Sequence, residues 1–280
     1  MRVAFVNSGL GLLPAAAALR LLRPDADVVL SMDPDGMPWG PRTVDDITAR
    51  TLACVEAALP YRPDALVIAC NTASVHALDA VRAQLEPALP VIGTVPAVKP
   101  AASTGGRVAI WATVATTHSA YQRRLISEFA PGQDVEVIAC PGLADAVHTG
   151  DRPGVDRAVR TAAAATSAAV TDIVLGCTEY ELIPDVIAAA RPRVTLHGTA
   201  RAIAAQAVRR VPAATPPGTR DLVVLLSGRP GPLPPAATGY AATAALLADP
   251  ATLPADPAAD RAGDPAADPA GDRSRADAPH

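Results

Sequence analysis

Short apolar segments alternate with longer helical patterns along most of this chain, and that alternation restricts its fold more than any other feature. Buried strands are predicted for nine mostly aliphatic runs: 3–6, 28–32, 65–69, 91–92, 108–111, 135–139, 173–175, 194–196 and 222–226. Helical periodicity fills most of the intervals, at 12–22, 44–59, 74–85, 119–129, 155–169 and 200–210. Alternating strands and helices are typical of parallel sheets covered by helices on both faces, so the sequence predicts the α/β class.

Length and charge narrow the function. The chain has 280 residues, half of them apolar, which is enough for two hydrophobic cores at about 100–200 residues per domain. The net charge of -4 and the absence of any Lys/Arg cluster argue against a nucleic-acid or membrane partner. The first apolar run is too short for a signal peptide, and no run approaches the roughly 18 residues of a membrane span. We therefore expect a cytoplasmic protein that acts on a small molecule.

The end of the chain has a different composition from the rest. Residues 246–280 repeat Ala-Asp-Pro and Gly-Asp-Pro, with no aromatic residue and no apolar period. Such a segment cannot bury enough surface to offset its chain entropy, so we predict that it is a disordered tail.

Four cysteines, Cys54, Cys70, Cys140 and Cys177, are scattered without any Cys-x-x-Cys pair, which argues against a disulfide scaffold or a zinc site. Cys70 and Cys177 stand in similar segments: an Asp, an aliphatic strand, a small residue, the cysteine, and then polar residues that can begin a helix. Ligands of open α/β sheets bind beyond the carboxyl ends of the strands, where both of these thiols are predicted to lie. Cys54, in a helical run, and Cys140 are interpreted as structural.

The predicted position of the two thiols indicates acid–base chemistry. A thiol near the N–H groups of a helix N-terminus can have its pKa lowered from about 8.5 to roughly 3.5–7.5, and then acts as a base. No Cys-His nucleophile pattern is recognisable. Two thiols on opposite faces of one substrate can remove a proton from one side and return one to the other, which inverts a stereocentre.

Several ordered motifs resemble the aspartate/glutamate racemase superfamily, and most closely the cofactor-independent glutamate racemases. The resemblance covers about residues 1–240. It rests on the following segments, in family order: FVNSGLGLLPAAAAL, MPWGPR, ALVIACNTAS, PVIGTVPAVKPA, VAIWATVATTHSAYQR, DIVLGCTEYELI and the strand that ends at Ser227-Gly228.

The resemblance implies two flavodoxin-like lobes, related by a pseudo-twofold axis, with the active site between them. The first lobe would be 1–97 plus 201–245, and the second 98–200. Cys70 and Cys177 would be the two catalytic thiols. Neither a metal nor pyridoxal phosphate is implied, and Lys99 is the only lysine that the sequence offers for a Schiff base. The implied substrate-binding residues are Asn7, Ser8, Pro38, Trp39, Gly40, Asn71, Thr72, Thr113, Thr116, Thr178 and Glu179.

Three positions depart from the pattern of the glutamate racemases. Asn7 stands where that family carries Asp, Glu179 where it carries His, and Trp39 where it carries Tyr. Glutamate is the preferred substrate, with D-glutamate supplied to peptidoglycan and the cell wall. Glu179 supports the alternative that the chain is a racemase of aspartate or another substrate. Asn7 and the missing His support a second alternative, a catalytically silent binding paralogue. A homodimer also stays open.

Two further features are interpreted as structural. Gly9-Leu10-Gly11 precedes a helix, but Pro14 occupies the third glycine position of a dinucleotide fingerprint, so no phosphate site is predicted. Asp33 follows a strand and is expected to orient the facing loop without taking part in catalysis.

Overall fold

Two sheets form the centre of the protein in a computed structural model that describes residues 1–249. The strands are β1 Arg2–Asn7, β2 Asp27–Met32, β3 Ala65–Ile68, β4 Val91–Gly93, β5 Val108–Ala112, β6 Glu136–Ala139, β7 Asp172–Leu175, β8 Thr195–His197, β9 Leu222–Leu226 and β10 Arg229–Pro230. All nine predicted strands are therefore confirmed, and β10 is a short addition at one edge.

Helices fill the connections between the strands. They are α1 Leu13–Leu22, α2 Val44–Ala58, α3 Asn71–His76, α4 Leu78–Leu85, α5 Val98–Ala102, α6 Val114–Thr117, α7 Ala120–Phe129, α8 Leu143–Thr149, α9 Arg152–Ala165, α10 Pro184–Ala190, α11 Ala200–Arg210 and α12 Ala241–Leu247. Short 3-10 helices occur at Leu10–Leu12, Pro34–Gly36, Leu59–Tyr61, Thr178–Leu182 and Pro235–Gly239.

The four strands of the second sheet have the same order as four neighbouring strands of the first. The first sheet runs β10-β9-β2-β1-β3-β4 and the second β6-β5-β7-β8, and every pairing is parallel except that of β10 with β9. The order β2-β1-β3-β4 corresponds to β6-β5-β7-β8, so each sheet reverses its winding between its first and third strands. Ligands of open α/β sheets bind at such reversals. This topology places two candidate binding edges in one chain.

Both faces of the first sheet are buried, as a parallel sheet requires. Val3 and Phe5 of β1 pack into one hydrophobic cluster, while Ala4 and Val6 pack into another on the opposite face. Trp111 of β5 belongs to the same cluster as Phe5, so the two sheets share a common core. The α/β prediction is thus confirmed. The sheets draw their strands from the ranges assigned to the two lobes, while the lobe boundaries and the pseudo-twofold axis stay predictions.

Two predicted helices are wrong in their bounds. The helix expected at 74–85 is divided into α3 and α4 at Ala77. The helix expected at 155–169 is instead α9, because Asp151 caps it by accepting from the N–H of Gly154, and Thr166 returns to extended backbone. Apolar periodicity alone signals neither of these caps.

The first residues of the predicted tail belong to a helix, which corrects the predicted boundary at residue 246. Helix α12 takes in residues 246 and 247, and the side chain of Leu246 is buried in the core. Residues 250–280, the remainder of the predicted tail, lie outside the described residues.

A buried arginine joins α1 to the C-terminal part of the fold. Burial lowers the pKa of Arg20 to about 10, so the guanidinium is still charged at neutral pH. It donates hydrogen bonds to four carbonyl oxygens. These belong to Ala26 (3.3 Å), Leu246 (2.6 Å), Arg220 (2.8 Å) and Asp221 (2.8 Å).

Replacing Arg20 by alanine is expected to lower the free energy of unfolding by about 2–4 kcal/mol, because buried carbonyl groups lose a charged donor. Urea denaturation measures the loss. Arg23→Ala, at the end of the same helix, is the matched control: its half-exposed ion pair with Asp25 is worth at most about 1 kcal/mol. Equal, small losses in both variants would contradict this role of Arg20.

Candidate active site

A cavity of about 280 Å³ lies at the carboxyl ends of β1, β3, β5 and β7, at the winding reversals of both sheets. Both candidate thiols line it. The predicted site residues that line it are Ser8, Pro38, Trp39, Gly40, Cys70, Asn71, Thr72, Thr113, Thr116, Cys177, Thr178 and Glu179. The fold therefore brings together residues that stand up to 171 positions apart in the chain.

Cys70 follows β3 and precedes the first residue of α3. Burial raises the pKa of this thiol to about 12, and the negative charge of Glu179 adds to the rise. The backbone N–H groups of Ala73 and Thr72, with the Thr72 hydroxyl, oppose it. The predicted lowering of the pKa is therefore wrong, because loss of water costs the thiolate more than these donors return.

Cys177 follows β7 at the corresponding place in the second sheet. Its thiol donates a hydrogen bond to Oε2 of Glu179 at 2.9 Å. Burial raises the pKa of Cys177 well above its ordinary value, and the charge of Glu179 and this hydrogen bond raise it further. The Glu179 carboxylate thus holds the proton on the second thiol, whereas the groups around Cys70 are hydrogen-bond donors.

Asn7 is completely buried and does not line the cavity, in contrast to its predicted contact with substrate. Its Nδ2 donates to the carbonyl oxygen of Ala69 at 2.6 Å and to Oγ1 of Thr178 at 3.2 Å. Ala69 immediately precedes one thiol, and Thr178 immediately follows the other. A single amide therefore ties the two cysteine segments together behind the cavity wall.

A second amide reinforces this connection from the cavity side. Nδ2 of Asn71, the residue after the first thiol, donates to the carbonyl oxygen of Gly176, the residue before the second, at 2.9 Å. Asn7, from β1, donates to both segments, whereas Asn71 belongs to the first segment and donates to the second. We interpret them as the contacts that fix the separation of the thiols.

The facing loop is held by Asp33, as predicted. Its carboxylate accepts hydrogen bonds from Nε1 of Trp39 at 2.9 Å and from Arg50 at 3.1 Å. Trp39 is fully buried in this position while bordering the cavity. Across the cavity, Thr113 caps α6, and its Oγ1 lies 3.0 Å from Oγ1 of Thr116.

Three residues in or behind the cavity wall were not among the predicted site residues. Asp145 and Cys140 line it, although Cys140 was interpreted as structural. Cys140 follows β6 as Cys70 follows β3, which was the available signal. His148 lies behind the wall, and its Nδ1 is buried with no hydrogen-bond partner within residues 1–249. Nothing in the pattern of α8 distinguishes His148 from a surface residue.

The glycines of Gly9-Leu10-Gly11 allow close packing at this wall and are not part of a phosphate loop. A Cβ on Gly11 would lie 2.3 Å from Oγ1 of Thr178, and one on Gly9 would lie 2.7 Å from Nδ1 of His148. A side chain on Gly11 would displace the second cysteine segment, and one on Gly9 would displace His148.

Neither a metal site nor a membrane-spanning helix is present within residues 1–249. No group of three or more His, Cys, Asp or Glu side chains in residues 1–249 is placed to hold a metal ion. None of the helices in this part of the chain is long and apolar enough to cross a membrane.

Comparison with known proteins identifies the relatives of the chain. The family described as Asp/Glu/Hydantoin racemase matches residues 12–207. Glutamate racemase of Herpetosiphon aurantiacus is 33% identical over 218 residues, which cover 76% of this chain and 85% of that protein. Glutamate racemase of Sphingopyxis alaskensis is 36% identical over 197 residues, which cover 67% and 73%.

A solved structure extends the similarity to three dimensions. Escherichia coli glutamate racemase, crystallised with L-glutamate and the activator UDP-MurNAc-Ala, superposes with a TM-score of 0.73 at 26% sequence identity. The match covers 84% of this chain and 90% of that one. The shared architecture therefore includes both sheets and not one half alone.

Proposed function

Since the chain belongs to the Asp/Glu/hydantoin racemase family of isomerases, we propose that it interconverts L- and D-glutamate by two-thiol proton transfer at Cα. The observation that supports this most strongly is that Cys70 and Cys177, from corresponding strands of two sheets, line one cavity. A substrate held between them has a proton acceptor on one face and a proton donor on the other.

The proton transfers balance without any further reagent. In one direction the Cys70 thiolate takes the Cα proton, the C–H bond breaks, and the electron pair stays on the substrate carbon. The Cys177 thiol then gives its proton to the opposite face and becomes a thiolate. In the other direction the two sulfurs exchange these roles. No cofactor is needed, because both transfers use the chain's own thiols.

The surroundings of the two thiols give them different acidities. Both thiols are mainly protonated at neutral pH, because burial raises their pKa values. Donors from Thr72 and Ala73 oppose this rise at Cys70, whereas the Glu179 carboxylate keeps the proton on Cys177. Cys70 therefore forms its thiolate more readily, which favours the enantiomer whose Cα proton faces it. Once Cys177 carries a proton again, its thiol can donate the same hydrogen bond to Glu179.

Polar groups around the cavity suit an amino acid. The carboxylates of Asp145 and Glu179 are placed to attract the substrate's ammonium group. Hydroxyls of Ser8, Thr72 and Thr116 offer hydrogen bonds to its carboxylates. Lys99 is exposed on α5 and does not line the cavity, so it offers no Schiff base there.

A racemase of aspartate or another acidic amino acid is the second candidate, supported by Glu179 at the second thiol. A silent binding paralogue is less well supported, because both thiols line the cavity. With glutamate as substrate, the product would supply peptidoglycan synthesis in the cytoplasm. The homodimer stays a prediction.

The substrate is tested by incubating the purified protein, without added pyridoxal phosphate, with each enantiomer of glutamate and aspartate, followed by chiral chromatography. We expect both glutamate enantiomers to converge on an equal mixture, because the two enantiomers have equal free energy. Conversion of aspartate alone would support the second candidate. Conversion of none of the four would contradict an acidic amino-acid racemase.

The turnover number for glutamate is expected to rise with pH between 7 and 9. The pKa of each thiol is raised, so the thiolate fraction is small at neutral pH and grows by up to about tenfold per pH unit. Initial rates at saturating glutamate measure this rise. A turnover number that is constant over this range would show a preformed thiolate and contradict the raised pKa values.

A further inference from the structure

The charges around the cavity do not balance when an acidic substrate enters. Asp145 and Glu179 are carboxylates, and no Lys, Arg or His of the described chain lines the cavity. Glutamate carries two carboxylates and one ammonium group, so its binding adds a further negative charge. Like charges in a partly buried site repel more strongly than in water. A compensating positive charge is needed nearby.

His148 is the titratable group in position to supply that charge. It lies on α8, one turn after Asp145, so the two side chains share a helix face. Its Nδ1 is buried and unpartnered within residues 1–249, and it packs against the backbone of Gly9. The imidazole is thus close behind the cavity wall without lining the cavity.

Burial and the neighbouring carboxylates have opposite effects on the imidazole. Burial lowers the pKa of His148 below its ordinary value, while the charges of Glu179 and Asp145 raise it. The ring is therefore mainly neutral at pH 7, and an added negative charge nearby raises its pKa further.

We propose that His148 takes up a proton when an acidic amino acid enters the cavity, and that the resulting imidazolium offsets the charge of substrate, Asp145 and Glu179. This inference rests on the proposed function. His148 acts as a charge-balancing residue and does not touch the substrate. Helix α8 packs against α9 and the 3-10 helices Thr178–Leu182 and Pro235–Gly239. The other titratable or charged groups of these elements and the residues next to them are Cys177, Tyr180, Glu181, Asp151, Arg152, Asp156, Arg157, Arg160 and Tyr240.

The KM for L-glutamate between pH 6 and 8 tests the proposal. Because proton uptake and binding are linked, the KM of the wild type should rise with pH, by up to about tenfold per pH unit at its steepest. His148→Gln fills similar space but cannot be protonated. Its KM should be high throughout and nearly independent of pH, with the turnover number changed less than about threefold, since the thiols are untouched.

Thr149→Ala is the matched control, because Thr149 is the next residue of α8 and, among residues 1–249, its hydroxyl bonds only to the helix backbone. Its KM profile should follow the wild type. Titration calorimetry of wild-type protein with glutamate at pH 7, in two buffers of different ionisation enthalpy, counts the protons taken up directly.

Uptake of a proton by the wild type and none by His148→Gln supports the proposal. No uptake by the wild type, or the same KM profile in both proteins, would overturn it. A wild type that binds glutamate with proton uptake but does not racemise it contradicts the proposed function and leaves the role of His148 supported.

Discussion

Racemisation of glutamate is expected to fall by a factor of about 10³–10⁴ when either Cys70 or Cys177 is replaced by serine. A serine hydroxyl is far less acidic than a thiol, so it neither forms the anion that removes the Cα proton nor returns a proton efficiently. Since each direction uses both sulfurs, both directions should be lost in each variant. Initial rates from each enantiomer measure the loss.

The single variants should differ in a residual exchange reaction. With Cys70→Ser, the remaining thiol still removes and returns a proton on its own face, so one enantiomer exchanges its Cα proton with solvent without inverting. Cys177→Ser should exchange the opposite enantiomer. Cys54→Ser is the control, because Cys54 is a buried thiol of α2 that does not line the cavity. Full activity in Cys70→Ser and Cys177→Ser would refute the two-thiol mechanism.

Asn7→Asp, which restores the residue that the glutamate racemases carry, is expected to damage this protein. The carboxylate would replace a donor that lies 2.6 Å from the carbonyl oxygen of Ala69. A buried unpaired charge costs about 3–5 kcal/mol of unfolding free energy. Because Asn7 also joins Ala69 to Thr178, the thiols should shift, and a small misplacement can lower the turnover number about 100-fold.

The pH dependence of its stability shows whether a buried carboxylate causes the destabilisation of Asn7→Asp. Burial should raise the pKa of the new carboxyl above its unfolded value of about 3.9, and a neutral carboxyl can donate to Ala69 again. The stability deficit of Asn7→Asp should therefore be smallest near pH 4 and grow as pH rises to neutrality. Urea denaturation at several pH values measures it.

Gln122→Glu is the control that separates a loss of unfolding free energy from a displacement of the thiols. Gln122 is buried on α7, and its Nε2 has no hydrogen-bond partner within residues 1–249. The Gln122→Glu variant buries a charge but does not remove a hydrogen bond that positions the thiols, as Asn7→Asp does. It should be destabilised but retain its turnover number at low temperature. A fully stable and active Asn7→Asp would contradict the positioning role of Asn7.

The fold was predictable from local sequence because its strands are unusually clear. Runs such as 65–68 and 222–226 are aliphatic throughout, as expected for strands of a parallel sheet. Helix ends were less predictable: the side chain of Asp151 caps the start of α9, and a change of backbone conformation at Ala77 divides α3 from α4. Periodicity does not detect such caps.

The site was predictable where residues adjoin a strand end. Cys70, Asn71 and Thr72, and likewise Cys177 and Thr178, follow β3 and β7 and line the cavity. The placement of Asn7 behind the wall was not predictable, because its partners come from distant segments.

The pKa values of the thiols were mispredicted for a related reason. Their position after a strand and before a helix is a local feature that the sequence gives. Their burial depends on which distant segments pack around the cavity, and burial is the largest cause of each rise.

Proton NMR in heavy water tests the central claim most directly. The wild type, without added pyridoxal phosphate, is given L-glutamate or D-glutamate, and the Cα proton signal and the enantiomer composition are followed together. Two thiols that face opposite sides of Cα predict that each inverted molecule carries solvent deuterium from its first turnover. Inversion with retention of the original proton would show that a single group carries it between the faces, and would contradict the assignment of Cys70 and Cys177 as separate acid and base.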